Sequence, residues 1–149
     1  MTVDKGLLPK EILSDSVILH VALAYFAIGK ELERRTACSQ TRGFILSTLR
    51  NGAERNQNQI ATLLGFDRTV VHRAIKTMIR EGLLDERKAP TGRALLVCLT
   101  DKGTRYRESL VAARRALEEE VRARLDARDV ERLPAALKQI ADLVAHAGD

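Results

Sequence analysis

Four basic side chains, Arg68, Arg73, Lys76 and Arg80, fall within "GFDRTVVHRAIKTMIREGLL", positions 65–84, and the only acids there are Asp67 and Glu81 near its ends plus none between 68 and 80. Steps of three to five residues put them on one side of a helix, and cationic groups so gathered suit phosphates and base edges rather than bond-breaking. The residues for other chemistry are scattered. His20, His72 and His146 fall in three separate predicted helices, and no Ser-His-Asp or Cys-His arrangement, Gly-rich phosphate loop or metal-ligand spacing can be placed. An enzyme is therefore not expected, and neither is a cofactor or a metal. Cys38 and Cys98 make no CxxC pair and no disulfide framework.

The elements that must position the basic run come from composition and periodicity. At 149 residues the chain suits one domain or a small core with added helices. Aromatic residues are 3% and Trp is absent, so Leu, Ile, Val and Ala must fill the interior. No apolar run approaches the ~20 residues that span a bilayer, and "MTVDKGLLPK" has no signal-peptide pattern, so a cytoplasmic protein without a membrane partner is expected. The net charge of +5 divides as +2 over residues 1–55 (8 basic, 6 acidic), +3 over 56–103 (8 and 5) and 0 over 104–149 (9 and 9). That balance permits a nucleic-acid partner, and its clustering matters more than its sum.

Apolar residues at three- and four-residue steps, including Ile12, Leu13, Val17, Leu19, Val21, Ala24 and Ile28, predict one long helix from about Pro9 to Glu33. A second helix fits "SQTRGFILSTLRN", with Ser39 as N-cap and Asn51-Gly52 as a stop. A third is opened by Asn56 and closed at Gly65. The basic run is the fourth: Asp67 caps it, Val71, Ala74, Ile75, Met78 and Ile79 form its apolar stripe, and Arg68, Thr69, His72, Arg73, Lys76 and Arg80 lie opposite. Ala61 where two helices cross, Gly65 in the turn and apolar neighbours around them follow the packing rule of a helix-turn-helix. Downstream, two short runs, 83–86 and 94–99, flank a Pro90-Thr91-Gly92 turn bearing Lys88 and Arg93 and predict a basic hairpin. A helix-turn-helix followed at once by such a hairpin is a winged helix.

These residues resemble the MarR family of transcription regulators. "NQNQIATLLGFDRTVVHRAIKTMIREGLLDER" matches its helix-turn-helix, and "PTGRALLVCLTDKG" matches its wing and the start of the next helix. The wing departs from the usual Asp-Arg-Arg, since Thr91-Gly92-Arg93 keeps only the last Arg and has no Asp to orient it. The expected architecture is mainly α with a small β-hairpin: a dimerisation helix over 1–38, a winged helix-turn-helix over 39–103 (helix-turn-helix 56–82, wing 83–99) and dimerisation helices over 104–149.

In the last third, Thr100 is expected to cap a helix to about Leu125 striped by Leu110, Leu117, Val121 and Leu125. Another helix follows Asp126, with Val130, Leu133, Leu137, Ile140 and Val144 inward and a kink or later start at Pro134. The small winged domain cannot cover all these stripes, so a second subunit is expected to. The resemblance implies the same homodimer, holding two recognition helices about one turn apart, ~34 Å, on a near-palindrome of double-stranded DNA. It also implies a repressor released by a small aromatic or phenolic effector bound between the dimerisation helices and the winged domain. Residues for that cleft are His20, Ala24, Phe44 and Ser47, with Arg42 or Tyr106 at its edge. His20 has a second interpretation, as a hydrogen-bonded core histidine of the apolar face. A redox-sensing branch of the family uses a thiolate near the start of the first helix, where neither Cys38 nor Cys98 stands; Cys98 is expected to be packed and Cys38 partly exposed. Architectural, sequence-independent DNA binding is the other alternative.

On the basic helix Arg68, Thr69 and His72 are expected to reach bases and Val70 a thymine methyl, while Arg73, Lys76, Gln57 and Asn58 hold phosphates and Arg93 lies near the minor groove or the backbone. Arg68→Ala should then cost roughly 1–3 kcal/mol and relax specificity at one position. Binding titrations on a set of single-base operator variants check this: equal weakening on every sequence would make Arg68 a phosphate contact instead.

Overall fold

The computed structural model describes residues 15–146. Six α-helices and one antiparallel hairpin follow in the order α1 (Val17–Thr36), α2 (Gln40–Thr48), a 3-10 turn (Arg50–Gly52), α3 (Gln57–Leu64), α4 (Arg68–Arg80), β1 (Leu84–Lys88), β2 (Leu95–Leu99), α5 (Asp101–Arg122) and α6 (Ala127–Ala145). Two compact units divide between Leu110 and Val111. No helix among the described residues is long and apolar enough to cross a membrane.

Helix α1 corrects the expectation of one helix running from about Pro9. Ser16 is extended and its hydroxyl accepts from the Leu19 N–H at 3.2 Å, so the helix begins at Val17. Pro9, Ile12 and Leu13 lie outside the described residues. The helix stops at Ala37, which takes a left-handed conformation and donates its N–H to the Glu33 carbonyl at 2.7 Å. Its one buried residue is Gly29. A Cβ there would overlap the Gln40 side chain, whose amide donates to the Tyr25 carbonyl at 3.0 Å. The missing side chain is what lets α2 reach the backbone of α1.

Ser39 is the N-cap of α2 by its extended backbone, although its side chain makes no capping bond. Asn51 and Gly52 both have positive φ and end the 3-10 turn, as the Asn-Gly pair predicted. Helix α3 opens with a full capping box: Asn56 Oδ1 accepts from the Gln59 N–H and Gln59 Oε1 accepts from the Asn56 N–H, both at 2.9 Å. These caps satisfy backbone donors that would otherwise face water without an intrahelical partner.

The first unit's core joins Ile45, Leu46 and Leu49 to Ile60 and Ala61 of α3, to Val71, Ile75 and Met78 of α4, and to Leu83, Leu84, Val97 and Leu110. Nine of its side chains are below 2% exposed. At about 1.5–3 kcal/mol for each large aliphatic side chain removed from water, this cluster fixes the helix-turn-helix as a rigid body. The hairpin pairs Leu84 with Leu99 through Lys88 with Leu95. A further bridge joins Arg55 to Val97, with N–H···O distances of 2.8 and 3.2 Å, and ties the wing to the segment before α3.

Thr100 does cap α5: its Oγ1 accepts from the Gly103 N–H at 2.9 Å and donates to the Gly82 carbonyl at 2.7 Å. Leu110 of the expected stripe is buried, Leu117 half-buried, and Val121 and Leu125 are exposed.

In the second unit, Asp126 caps α6 by accepting from the Arg128 N–H at 2.8 Å. The helix then runs through Pro134 to Ala145, correcting the expected later start. Pro134 is exposed and supplies no N–H to the Val130 carbonyl, a loss tolerated within a helix whose other bonds continue. Leu133, Leu137 and Val144 are exposed as well, while Val130 and Ile140 are half-buried.

A Cβ built on Gly103 would stand 1.9 Å from the Leu83 carbonyl oxygen, a backbone atom with nowhere to go. Gly103→Ala should therefore destabilise the protein by about 1–3 kcal/mol, measured as a lower urea midpoint, whereas Gly43→Ala, with open space around its Cα, should not.

Candidate nucleic-acid interface

The interface is built on α4. Asp67 sits outside the helix with extended backbone and its Oδ1 accepts from the N–H groups of Thr69 at 2.7 Å and Val70 at 3.3 Å. These backbone bonds, the Thr69 one largest, hold its carboxyl below the usual carboxylate range. Gly65, at positive φ, closes α3 and lets the chain turn at once into α4.

Val71, Ile75 and Met78 point into the core, with Ala74 and Ile79 half-buried beside them. The remaining positions are thereby forced outward: Arg68, Thr69, Val70, His72, Arg73, Lys76 and Arg80 are all exposed. Every position of α4 singled out in the sequence for base or phosphate contact lies on this one exposed surface.

Contacts across elements, invisible in the linear sequence, refine the surface. His72 Nδ1 lies 2.8 Å from Gln57 Oε1, linking the first turn of α3 to the second turn of α4. Glu86, on β1, comes within 3.9 Å of Lys76 Nζ, so the stretch without acids along the sequence is not without an acid in space. At the far end Glu81 pairs with Arg42 of α2, and Lys102 Nζ donates to the Glu81 carbonyl at 2.7 Å. No spacing rule links these partners, which stand 10 to 39 positions apart and on different elements, so sequence reasoning had no signal for them.

The wing carries Lys88 and Arg93, both exposed. Arg93 shares a cleft of about 360 Å³ with Asn56, Gln57, Asn58, Ala94 and Leu95, so the wing and the start of α3 border one concavity. Gly92 has a φ of 81°, a conformation the first Arg of the Asp-Arg-Arg pattern would adopt only with strain. At the wing's base Arg87 Nε donates to Glu54 at 2.6 Å, and the pair holds the Glu54 carboxyl low and the Arg87 guanidinium high.

The residues grouped for an effector are brought together in part. The Arg42 guanidinium lies 5.9 Å from the Tyr106 ring centre, and Phe44 packs edge-on against Phe66. The Ser47 hydroxyl donates to the Gly43 carbonyl at 2.9 Å. His20 is exposed, and its Nδ1 lies 2.8 Å from the Ser16 carbonyl, which corrects the core-histidine interpretation: its side of α1 is not buried by this chain. Ala24 is exposed on the same helix.

Cys38, expected to be partly exposed, is buried at 3%. Burial pushes its thiol up, the opposite of a reactive thiolate, and pushes the neighbouring Tyr106 hydroxyl up to about 12. Cys98 is half-buried in β2, and burial raises its thiol too. Among the described residues no group of three or more His, Cys, Asp or Glu side chains could hold a metal ion.

A capped recognition helix behind a scaffold helix, followed by a two-stranded wing, defines a winged helix-turn-helix protein. Residues 39–94 match the model of the MarR family. Solved structures share the fold. The PcaV transcriptional regulator from Streptomyces coelicolor, in complex with its natural ligand, is 20% identical with a TM-score of 0.77, covering 97% of this chain and 100% of its own. The transcriptional repressor CouR, bound to a 23-mer DNA duplex, is 24% identical with a TM-score of 0.75 over 91% and 99%. A mutant of MarR from E. coli complexed with operator DNA is 18% identical with a TM-score of 0.76 over 91% and 99%. No curated protein matches the chain significantly.

The depressed Asp67 carboxyl has a consequence for pH. A group whose carboxyl is lower in the folded state adds stability above the ordinary carboxylate range, and that stability is lost as pH falls through the folded value. Thermal melts from neutral pH down to about pH 3 should show a shallower acid-side fall for Asp67→Asn, which keeps the cap's acceptor without its titration.

Proposed function

We propose that this protein is a homodimeric transcriptional repressor that binds a near-palindromic operator and is released by a small aromatic or phenolic acid. The observation that carries the proposal is the exposed basic face of α4, presented by a buried stripe on its opposite side and flanked by Arg93 of the wing. Such a helix fits the major groove, where Arg68, Thr69, Val70 and His72 meet base edges while Arg73, Lys76 and Asn58 meet phosphates. Lys88 and Arg93 extend the contact along the backbone or the minor groove. No catalytic role is assigned, and the site of action is the cytoplasm, where the DNA is.

The dimer is supported by apolar side chains a soluble chain does not leave bare without use. Ile18 and Phe26 of α1 are 60% and 67% exposed, and Leu133, Leu137 and Val144 of α6 are exposed also. Residues 1–38 and 104–149 would supply the dimer contacts, and 39–103 the DNA contacts. A two-fold pair then sets both recognition helices at one spacing, about 34 Å, and repression requires that spacing.

The effector proposal draws on the likeness to PcaV, whose structure holds its natural ligand. In this chain the Arg42 guanidinium and the Tyr106 ring offer a cation and an aromatic surface to a carboxylate, with Phe44, Ser47, His20 and Ala24 as further candidates. An effector shifts the dimer between spacings only by the difference in its affinity for the two states.

The deciding experiment incubates the protein with sheared DNA of its source genome at near-physiological salt and sequences what is retained. A few enriched near-palindromes, with half-sites about one helical turn apart, are expected. Uniform recovery that falls steeply with salt would replace this function with architectural, sequence-independent binding.

A further inference from the structure

We propose that Gln57 and His72 form a single reading unit, in which Gln57 sets the tautomer of His72 so that its Nε2 selects an amino group in the major groove, on adenine or cytosine, and rejects guanine. The inference rests on the DNA-binding function above and adds a specificity to it.

Gln57 opens α3 and His72 lies in the second turn of α4, both on the outer side of the helix-turn-helix, with His72 exposed. Their contact is 2.8 Å, between His72 Nδ1 and Gln57 Oε1. A carbonyl oxygen carries no proton, so Nδ1 is the donor. A neutral imidazole has one N–H; once Nδ1 holds it, Nε2 presents a bare lone pair. A free imidazole favours the reverse arrangement, with the proton on Nε2, so Gln57 inverts the ring's ordinary preference. It is a positioning residue: it need not touch a base to change which base is read, and its own amino group stays available to a phosphate.

In the major groove, adenine and cytosine present amino donors at N6 and N4, guanine presents only the acceptors N7 and O6, and thymine presents the acceptor O4 with a methyl group. An Nε2 acceptor is complementary to the first two and faces lone pair against lone pair on guanine. The expectation is opposite to the usual pairing of a basic helix position with guanine, which Arg68 remains able to make.

The test selects binding sites from a random duplex library at about pH 8, well above the ordinary imidazole range, with the unaltered protein, His72→Ala and Gln57→Ala. One position in each half-site should favour A or C over G by roughly five- to tenfold. His72→Ala should abolish that preference, and Gln57→Ala should relax it towards G, with other positions unchanged in both. Long-range 1H–15N NMR on the free proteins gives a readout independent of DNA, the His72 signals being those that His72→Ala removes. Nδ1 should be protonated in the unaltered protein and Nε2 in Gln57→Ala.

A preference for guanine at the His72 position, or an Nε2-protonated ring in the unaltered protein, would overturn the inference while leaving the regulator intact. Failure of the unaltered protein to enrich any motif would remove sequence-specific binding, and this inference with it.

Discussion

The complete burial of Val71, Ile75 and Met78 is the constraint on which the working surface depends. A helix has only one circumference. Once these side chains are fixed in the core against Ile60 and Ala61, the positions between them have no choice but to face water. Rotating α4 to hide its charges would expose three large apolar side chains, at about 1.5–3 kcal/mol each, and would drive guanidinium groups into an apolar interior at greater cost. Basic residues alone would make a solvated surface; the buried stripe behind them makes a surface with a fixed orientation.

The wing is held to that surface by a small polar junction. Leu83 leaves α4, its carbonyl accepts from the Thr100 N–H at 3.1 Å, and the Gly103 backbone approaches so closely that no side chain fits between. Thr100 at the same time ties the Gly82 carbonyl to the start of α5. The exit of α4, both ends of the hairpin and the first turn of α5 therefore meet within one set of hydrogen bonds. With the Arg55–Val97 bridge on the other side, the wing's base is fixed relative to α3 and α4, and the cleft shared by Arg93 and Asn58 follows from that closure.

Much of this was legible because it depends on near neighbours in the chain. Asn56 and Gln59, three residues apart, announce a capping box, and Asp67 before an apolar stripe announces the next helix. Gly65 and Gly82 mark turns because positive φ suits few other residues. The errors lay where local pattern and burial part company. The apolar periodicity running back from Val17 suggested an uninterrupted helix, but the Ser16 hydroxyl caps a backbone N–H three residues on and starts the helix there. The same periodicity suggested a buried His20, which this chain leaves exposed. Cys38 was expected nearer the surface because it precedes an N-cap, yet it joins the core cluster beside Tyr106.

The sequence by itself determined the elements, their caps, the identity of the apolar and basic faces and the kind of partner those faces suit, because each depends on residue type and spacing over a few turns of chain. Only the tertiary structure decided which polar groups meet: Gln57 with His72, Glu86 with Lys76, Arg42 with Glu81 and Tyr106. Hydrogen bonds and ion pairs act over about 3 to 4 Å, and side chains from different elements come that close only after core packing has set the rotation and crossing of the helices that carry them.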